Sequence, residues 1–311
     1  MLLKTRFMIR WKTPATEDVP EMRRILAASG AQGSDSCASN IFLLREKYNI
    51  KTAMENGTLF RLYTGTRLEG RNGMGFPLGG DTGAALEALI TDCKEKGKPV
   101  RFIYLTQEQK QILSGSCPGM IFDTYDGKFD YMYEARHLAG LEGRRNSKKR
   151  NRINLFEREY PDYEIRFFDD KDDGSFLQDM IGVEEKWFER LSERVDSVFV
   201  ERLEIYEACR YWKELGFTGA VIYVKGEPAA MAIASEISPG IFDINFEKCY
   251  GDFARAGGFA VINRYFAQYL IEKHGAKWIN REEDIGLEGL RRAKMAYHPD
   301  RMLQKYHTRK I

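Results

Sequence analysis

Ile241-Phe242-Asp243-Ile244-Asn245-Phe246-Glu247-Lys248 leads into Arg255-Ala256-Gly257-Gly258-Phe259-Ala260, and this junction decides how the chain reads. The first stretch predicts a strand, and residues 258–273 predict a helix containing Ile262 and Tyr265. Glycines at the junction remove side chains where backbone N–H groups can approach an anion, and a helix N-terminus adds partial positive charge. Arg255, Gly257 and Gly258 are therefore candidate anion-binding residues. A flexible helix start beside a solvated arginine would use the same letters, so the surrounding element order has to decide. Adjacent strand residues face opposite sides, so only one of Glu247 and Lys248 faces a cleft unless a bulge intervenes. Glu247 is a candidate base and Lys248 a candidate substrate contact.

Further along, a strand at 277–280 ends in Asn280-Arg281-Glu282-Glu283-Asp284 and opens toward a helix at 287–295. Clustered carboxylates raise the pKa of at least one member, which suits a general base. Glu282 and Glu283 are the candidates, with Asn280, Arg281 and Asp284 as substrate contacts. Acidic residues also compensate a helix dipole. That alternative explains Glu283 and Asp284 better than Asn280, Arg281, Arg291 and Lys294. Arg291 and Lys294 share a helix face. They either tie the carboxylates into an ion-pair lattice or meet a donor phosphate. Tyr297 is a candidate proton donor to a leaving group, a buried core tyrosine being the plain alternative.

Arg144-Arg145-Asn146-Ser147-Lys148-Lys149-Arg150-Asn151-Arg152 is the densest basic run. It can neutralise phosphates of RNA or of an anionic membrane. Its other reading is a solvated linker helix balanced by Asp169-Asp170-Lys171-Asp172-Asp173.

The C-terminal half predicts the order β-α-α-β-β-β-α-β-α-β, with a final strand near 302–307. The N-terminal half repeats it more faintly: helices at 17–28 and 39–48, a hairpin around Asn56-Gly57, a strand at 73–78, a helix at 82–96, a strand at 100–105, a helix at 107–113, and strands at 120–125 and 129–133 around Asp126-Gly127. A repeated order suggests a duplicated fold, divided at 1–160 and 161–311. Gly79 and Gly80 mirror Gly257 and Gly258, but the acidic and cationic cluster has no counterpart there. The C-terminal unit is the expected active copy, and the glycine turn and the acidic strand end are expected to share a cavity.

With 311 residues, 43% hydrophobic and 30% charged, the chain has an ordinary globular composition that fits two domains better than one. A formal charge of +2 leaves any polyanion binding to local clusters. The five scattered cysteines include no Cys-x-x-Cys, which fits a reducing, cytoplasmic setting. The start Met1-Leu2-Leu3-Lys4-Thr5-Arg6 lacks the apolar core of a signal peptide. No run reaches the roughly 18 apolar residues of a membrane span. Gly115-Ser116-Cys117-Pro118-Gly119 reads as a turn, since a proline stands where a nucleophile elbow needs a helix N–H. The histidines show no metal-ligand spacing, so no metal is expected.

The element order, with a central strand feeding a glycine-started helix, resembles the GNAT-type N-acyltransferase fold, an α/β class with a mixed sheet. Arg255 to Ala260 matches its Arg/Gln-x-x-Gly-x-Gly/Ala pattern. Two tandem copies resemble enzymes that take aminoacyl-tRNA as donor. Tyr133-Glu134, Leu138-Ala139, Leu141-Glu142-Gly143, Lys148 to Phe156, Phe246-Glu247-Lys248 and Asn280 to Tyr297 are similar to the catalytic domain of phosphatidylglycerol lysyltransferase and its soluble relatives. The resemblance covers most of the chain and is densest in the C-terminal half. It implies an acyl- or aminoacyltransferase moving a lysyl-like group to phosphatidylglycerol or a small-molecule acceptor, with no tightly bound cofactor. Aminoacyl-tRNA, or alternatively acyl-coenzyme A, would be the co-substrate, and tRNA and an anionic lipid surface the partners. Lys149, Arg150 and Asn151 match the family motif and are assigned to ligand binding. Glu247, Glu282 or Glu283 takes the proton, while Arg255, Arg291 and the Gly257-Gly258 amides stabilise negative charge. A non-catalytic RNA- or membrane-binding module built on residues 144–152 is the rival from a different class.

Overall fold

The computed structural model describes residues 9–65, 72–124, 127–168, 170–171, 174–192 and 195–309. Met1 to Arg6, Asp126, Asp169, Asp172 and Asp173 lie outside them.

A seven-stranded sheet runs in the order Arg301–Leu303, Asp130–Glu134, Trp278–Asn280, Ile241–Cys249, Glu227–Ser238, Phe217–Val224, Glu164–Phe167. Its neighbours are antiparallel except Ile241–Cys249 and Trp278–Asn280, which run parallel. Phe217–Val224 is buried at every position because both faces of the sheet are covered, so it keeps no polar side. Lys225 and Gly226, both at positive φ, make the tight turn into Glu227–Ser238.

Helix Gly258–His274 joins the two parallel strands. It stops at Gly275, which adopts φ 66°; the Gly275 N–H donates to Ile271 and that of Ala276 to Leu270. The helix packs with Ala135–Gly140 and Ser147–Glu159 over one face, around Leu138, Ile153, Phe156 and Ile262. Ser175–Glu189 and Asp196–Arg210 cover the other face, together with Val19–Ser29 and Ala38–Leu43 from the N-terminal half. A separate apolar cluster around Phe60, Leu86, Leu89 and Phe102 belongs to the hairpin Ile50–Glu55/Thr58–Tyr63 and helix Thr82–Glu95.

Long-range pairing departs from local expectation in four places. Residues 73–78 form two short strands, Gly73–Met74 and Leu78–Gly79, broken where Gly75 passes the buried Arg61 so closely that a Cβ would stand 2.9 Å from its guanidinium. Residues 100–105 make only single bridges, at Phe102 and Leu105. Phe122–Thr124 and Asp130–Glu134 do not pair with each other: the first joins Tyr306–Thr308, and the second enters the large sheet. The expected final strand is split by the buried Lys305 into two strands of different sheets. The large sheet therefore takes strands from both sides of the expected boundary at residue 160.

Candidate active site

Parallel pairing stops at Asp243 opposite Asn280, while Ile241–Cys249 continues to Cys249 along its other neighbour. The two strands part there, and a register shift between Ile244 and Phe246 marks a bulge. The bulge decides which side chains face where. Asp243 and Asn245 point toward Asn40, on the face covered by the N-terminal helices. Strict alternation would send Glu247 the same way. With one extra residue in the strand, Glu247 turns to helix Gly258–His274 instead, where Asn263 approaches it at 3.4 Å.

Across the parting, Arg281 Nη2 lies 3.1 and 3.2 Å from the two carboxylate oxygens of Glu247, and both side chains are nearly buried. Arg281 Nη1 and Asn263 Oδ1 are buried and have no hydrogen-bond partner among the described residues. A substrate group or a water entering between the strands would satisfy both. The Arg281 guanidinium also lies 4.9 Å from the Tyr297 ring centre, and Lys149 Nζ sits over that ring at 3.7 Å. Burial lowers the Lys149 ammonium to about 8; Arg281 and Arg152 push the same way, while Glu247 opposes them. Burial holds the Tyr297 hydroxyl well above its usual range, so it stays protonated.

An open cleft of about 460 Å³ borders this group, lined by Lys149, Arg152, Arg255, Gly257, Phe259 and Tyr297 among others. Gly257 has φ 121°, and a Cβ there would stand 2.4 Å from the Arg152 carbonyl oxygen; one on Gly258 would stand 2.6 Å from Cys249 Sγ. The glycines thus let helix Ser147–Glu159 close over the turn, which carries Lys149 into the cleft. The Gly257 N–H donates to Phe253 and Ala254, and its carbonyl accepts from Ala260 and Val261, so these groups are engaged within the turn. Arg255 points outward, paired with Asp252.

Glu282 does not line that cleft. It adopts φ 57° and faces the opposite side, where Asn40 Nδ2 lies 3.0 Å from it and 2.7 Å from Asp243. Burial raises Glu282 to about 7, reinforced by Asp130 and Glu283 and opposed by Lys294 and Asn40. Asp243 is fully buried, and one of its oxygens has no partner. Burial, with Glu282 and Asp130 beside it, holds its carboxyl well above the carboxylate range. Asp130 is by contrast saturated, accepting from Ser34, Asn280 and Lys305. Asn40, Asp130 and Asp243 escaped sequence reasoning. Asp243 was visible only as a polar residue on an apolar strand, and Asn40 needed the tertiary fold.

The remaining sequence-derived candidates divide by what they touch. Lys248 faces away from Glu247, 2.9 Å from Glu201 and 3.9 Å from the buried Glu184, with Trp187 beneath it at 3.4 Å. Arg150 donates to the Leu141 and Gly143 carbonyls, and Asn151 is exposed. Asp284 is enclosed by Tyr131, Arg291 and the Gly286 N–H. Burial alone would raise its pKa, but those hydrogen bonds outweigh it and hold it below the usual range. Arg291 is thus ion-paired with Asp284, and Lys294 donates to the Glu283 backbone carbonyl at 2.5 Å. Gly79 and Gly80 pack against the Asn56-Gly57 turn, and the Asp81 carboxylate caps the following helix where an anion would bind. Among the described residues, no group of three or more His, Cys, Asp or Glu is placed to hold a metal, and no helix is long and apolar enough to cross a membrane.

The family described as phosphatidylglycerol lysyltransferase, C-terminal, matches residues 26–309. A conserved protein of unknown function from Bacteroides thetaiotaomicron is 28% identical, with a TM-score of 0.87 over 97% of this chain and 99% of its own. The structure of L-PGS from Bacillus licheniformis shares the fold at 16% identity, with a TM-score of 0.65 over 96% of this chain and 92% of its own. So does the C-terminal domain of a putative lysylphosphatidylglycerol synthetase from Agrobacterium fabrum, at 13% identity and a TM-score of 0.65 over 94% and 92%. No curated protein matches. The expected mixed α/β, GNAT-like fold is the one observed.

Proposed function

Because the chain belongs to the phosphatidylglycerol lysyltransferase C-terminal family, we propose that it transfers an aminoacyl group from aminoacyl-tRNA to a lipid or small-molecule acceptor. The observation that carries the reading is the Glu247–Arg281 pair at the parted strands, with an orphaned donor and acceptor beside it and Lys149 at the cleft.

The acceptor hydroxyl or amine attacks the ester carbonyl of the donor. A new bond forms to the carbonyl carbon, and negative charge develops on its oxygen. Arg281 Nη1 is the buried donor that such an oxyanion would satisfy. Lys149, whose ammonium is lowered to about 8 by burial, takes the acceptor's proton in its neutral amine form. The Tyr297 ring favours the resulting ammonium. When the ester bond breaks, the tRNA ribose oxygen leaves and receives that proton. Glu247 holds Arg281 in place. On the opposite face, Glu282 and Asp243 would ionise against the ammonium of a lysyl-like group, whose charge offsets the burial that raises both.

The competing donor is acyl-coenzyme A. The Gly257 N–H is already engaged within the turn and offers a pyrophosphate no donor there. Incubation with labelled lysyl-tRNA and phosphatidylglycerol vesicles, and separately with acetyl-coenzyme A and a panel of amines, tests the choice. Transfer in the first mixture alone is expected. Turnover only in the second would replace the donor, and salt-sensitive RNA binding without turnover would leave a binding module.

A further inference from the structure

Helix Glu288–Met295 buries none of its residues. Together with the turn before it, it exposes Ile285 (52%), Leu287 (55%), Leu290 (40%) and Met295 (48%). Its ties to the body are polar: Lys294 to the Glu283 carbonyl, Tyr133 to the Lys294 carbonyl, and Arg291 to Asp284. Four large apolar side chains left in water within one short segment mark a surface that meets a partner.

The border of this patch states the partner's chemistry. The segment ends at Tyr297 and His298. Lys149 sits over the Tyr297 ring, and His298 Nε2 lies 3.2 Å from the Arg145 carbonyl. The chain just beyond this helix therefore meets the basic segment 144–152, which has no acidic residue and whose Arg144, Arg145, Lys148 and Arg152 are exposed. Apolar side chains edged by cations suit insertion into an anionic bilayer, with cations at the headgroups and hydrocarbon below them. Another exposed apolar row, Val195, Phe199 and Leu203, has no basic run at its border among the described residues, and the neighbouring Glu201, Glu204 and Glu207 already pair with Lys248, Lys47 and Arg45.

We propose that residues 285–295 and the neighbouring basic segment dock this protein on an anionic lipid bilayer, with the Lys149 cleft beside the headgroups. This deepens the transfer reading by naming where the acceptor lies, and rests on that reading only for the acceptor's identity.

Sedimentation with phosphatidylglycerol–phosphatidylcholine vesicles tests it. The wild type is expected to bind these vesicles, to bind pure phosphatidylcholine weakly, and to be released by salt. The double variant Leu287→Gln/Leu290→Gln, altered only at exposed positions, should bind roughly tenfold or more weakly. Leu203→Gln should bind like the wild type. Equal binding by wild type and double variant would overturn the proposal. So would absence of vesicle binding, or an apolar patch whose loss only dissolves a dimer seen by light scattering. Binding needs no turnover, so vesicle binding without transfer would overturn the transferase reading alone. Transfer to a water-soluble acceptor without vesicle binding would overturn the docking alone.

Discussion

Arg281 reaches across the gap between two parallel strands to hold both oxygens of Glu247, at 3.1 and 3.2 Å. The pair is almost buried, so its partners are not interchangeable with water. Glu247→Gln leaves the Arg281 charge buried beside a weaker acceptor. Removing one partner of such a pair costs about 3 kcal/mol of stability. Steady-state transfer should fall about a hundredfold, and thermal unfolding should show the accompanying loss.

Lys149 predicts a pH signature. Its ammonium sits at about 8 rather than 10.5. Transfer should therefore rise with pH through about 8 and level off above it. Lys149→Met should abolish that limb, while Lys149→Arg, charged throughout, should stay slow at every pH. For stability, the unfolded chain holds this proton up to 10.5, so the folded state gains as pH rises from about 8 to 10.5. A rate profile that keeps its limb in Lys149→Met would assign the proton to another group.

Glu282 works in the opposite direction. Its folded pKa, about 7, lies above the ordinary 4.5, so the folded state binds the extra proton between those values. Its stabilising contribution is complete below 4.5 and is lost as pH rises through about 7. Glu282→Gln should flatten the melting temperature over this window, and calorimetry across it reads the effect.

Gly257→Ala combines a positive φ with a Cβ 2.4 Å from the Arg152 carbonyl. Backbone strain and overpacking together should cost about 2 kcal/mol or more. Helix Ser147–Glu159 would have to move, and Lys149 with it. The expected result is a lower denaturation midpoint and slower transfer, whereas Gly226→Ala, with φ 77° and an open surrounding, should lower stability without slowing transfer by folded protein.

Lys248 separates structure from chemistry. Burial raises Glu184 to about 7 even with Lys248 opposing. Lys248→Met removes that opposition and should destabilise more above pH 7 than below it, where Glu184 is protonated. Transfer per folded molecule should be kept. A selective loss of rate at unchanged stability would return Lys248 to the substrate.

Local chemistry made much of this fold legible. Asn56-Gly57 and Lys225-Gly226 announced their hairpins through the positive φ such turns require. The stretch from Thr218 to Val224 and the glycine start of the long helix read as the central strands' surroundings, and the observed strand begins one residue earlier, at Phe217. Partners distant in sequence were not legible. Asp130–Glu134 lies between Trp278–Asn280 and Arg301–Leu303, and nothing near residue 130 encodes that choice. The site was legible by residue type but not by side. Glu247, Arg281, Tyr297 and Lys149 converge because one bulge changes the phase of the strand carrying Glu247, while Glu282 alternates with Arg281 and turns away from the glycine turn. Sequence spacing cannot reveal a bulge that sends the adjacent Phe246 and Glu247 to opposite layers.

The most direct measurement is a crystal structure with a hydrolysis-resistant amide analogue of lysyl-adenosine. The account predicts its carbonyl within hydrogen-bond reach of Arg281, its ribose toward Lys149 in the cleft beside Gly257, and its terminal ammonium toward Glu282 and Asp243. An analogue seated outside the parted strands, touching none of Lys149, Glu247 and Arg281, would contradict it.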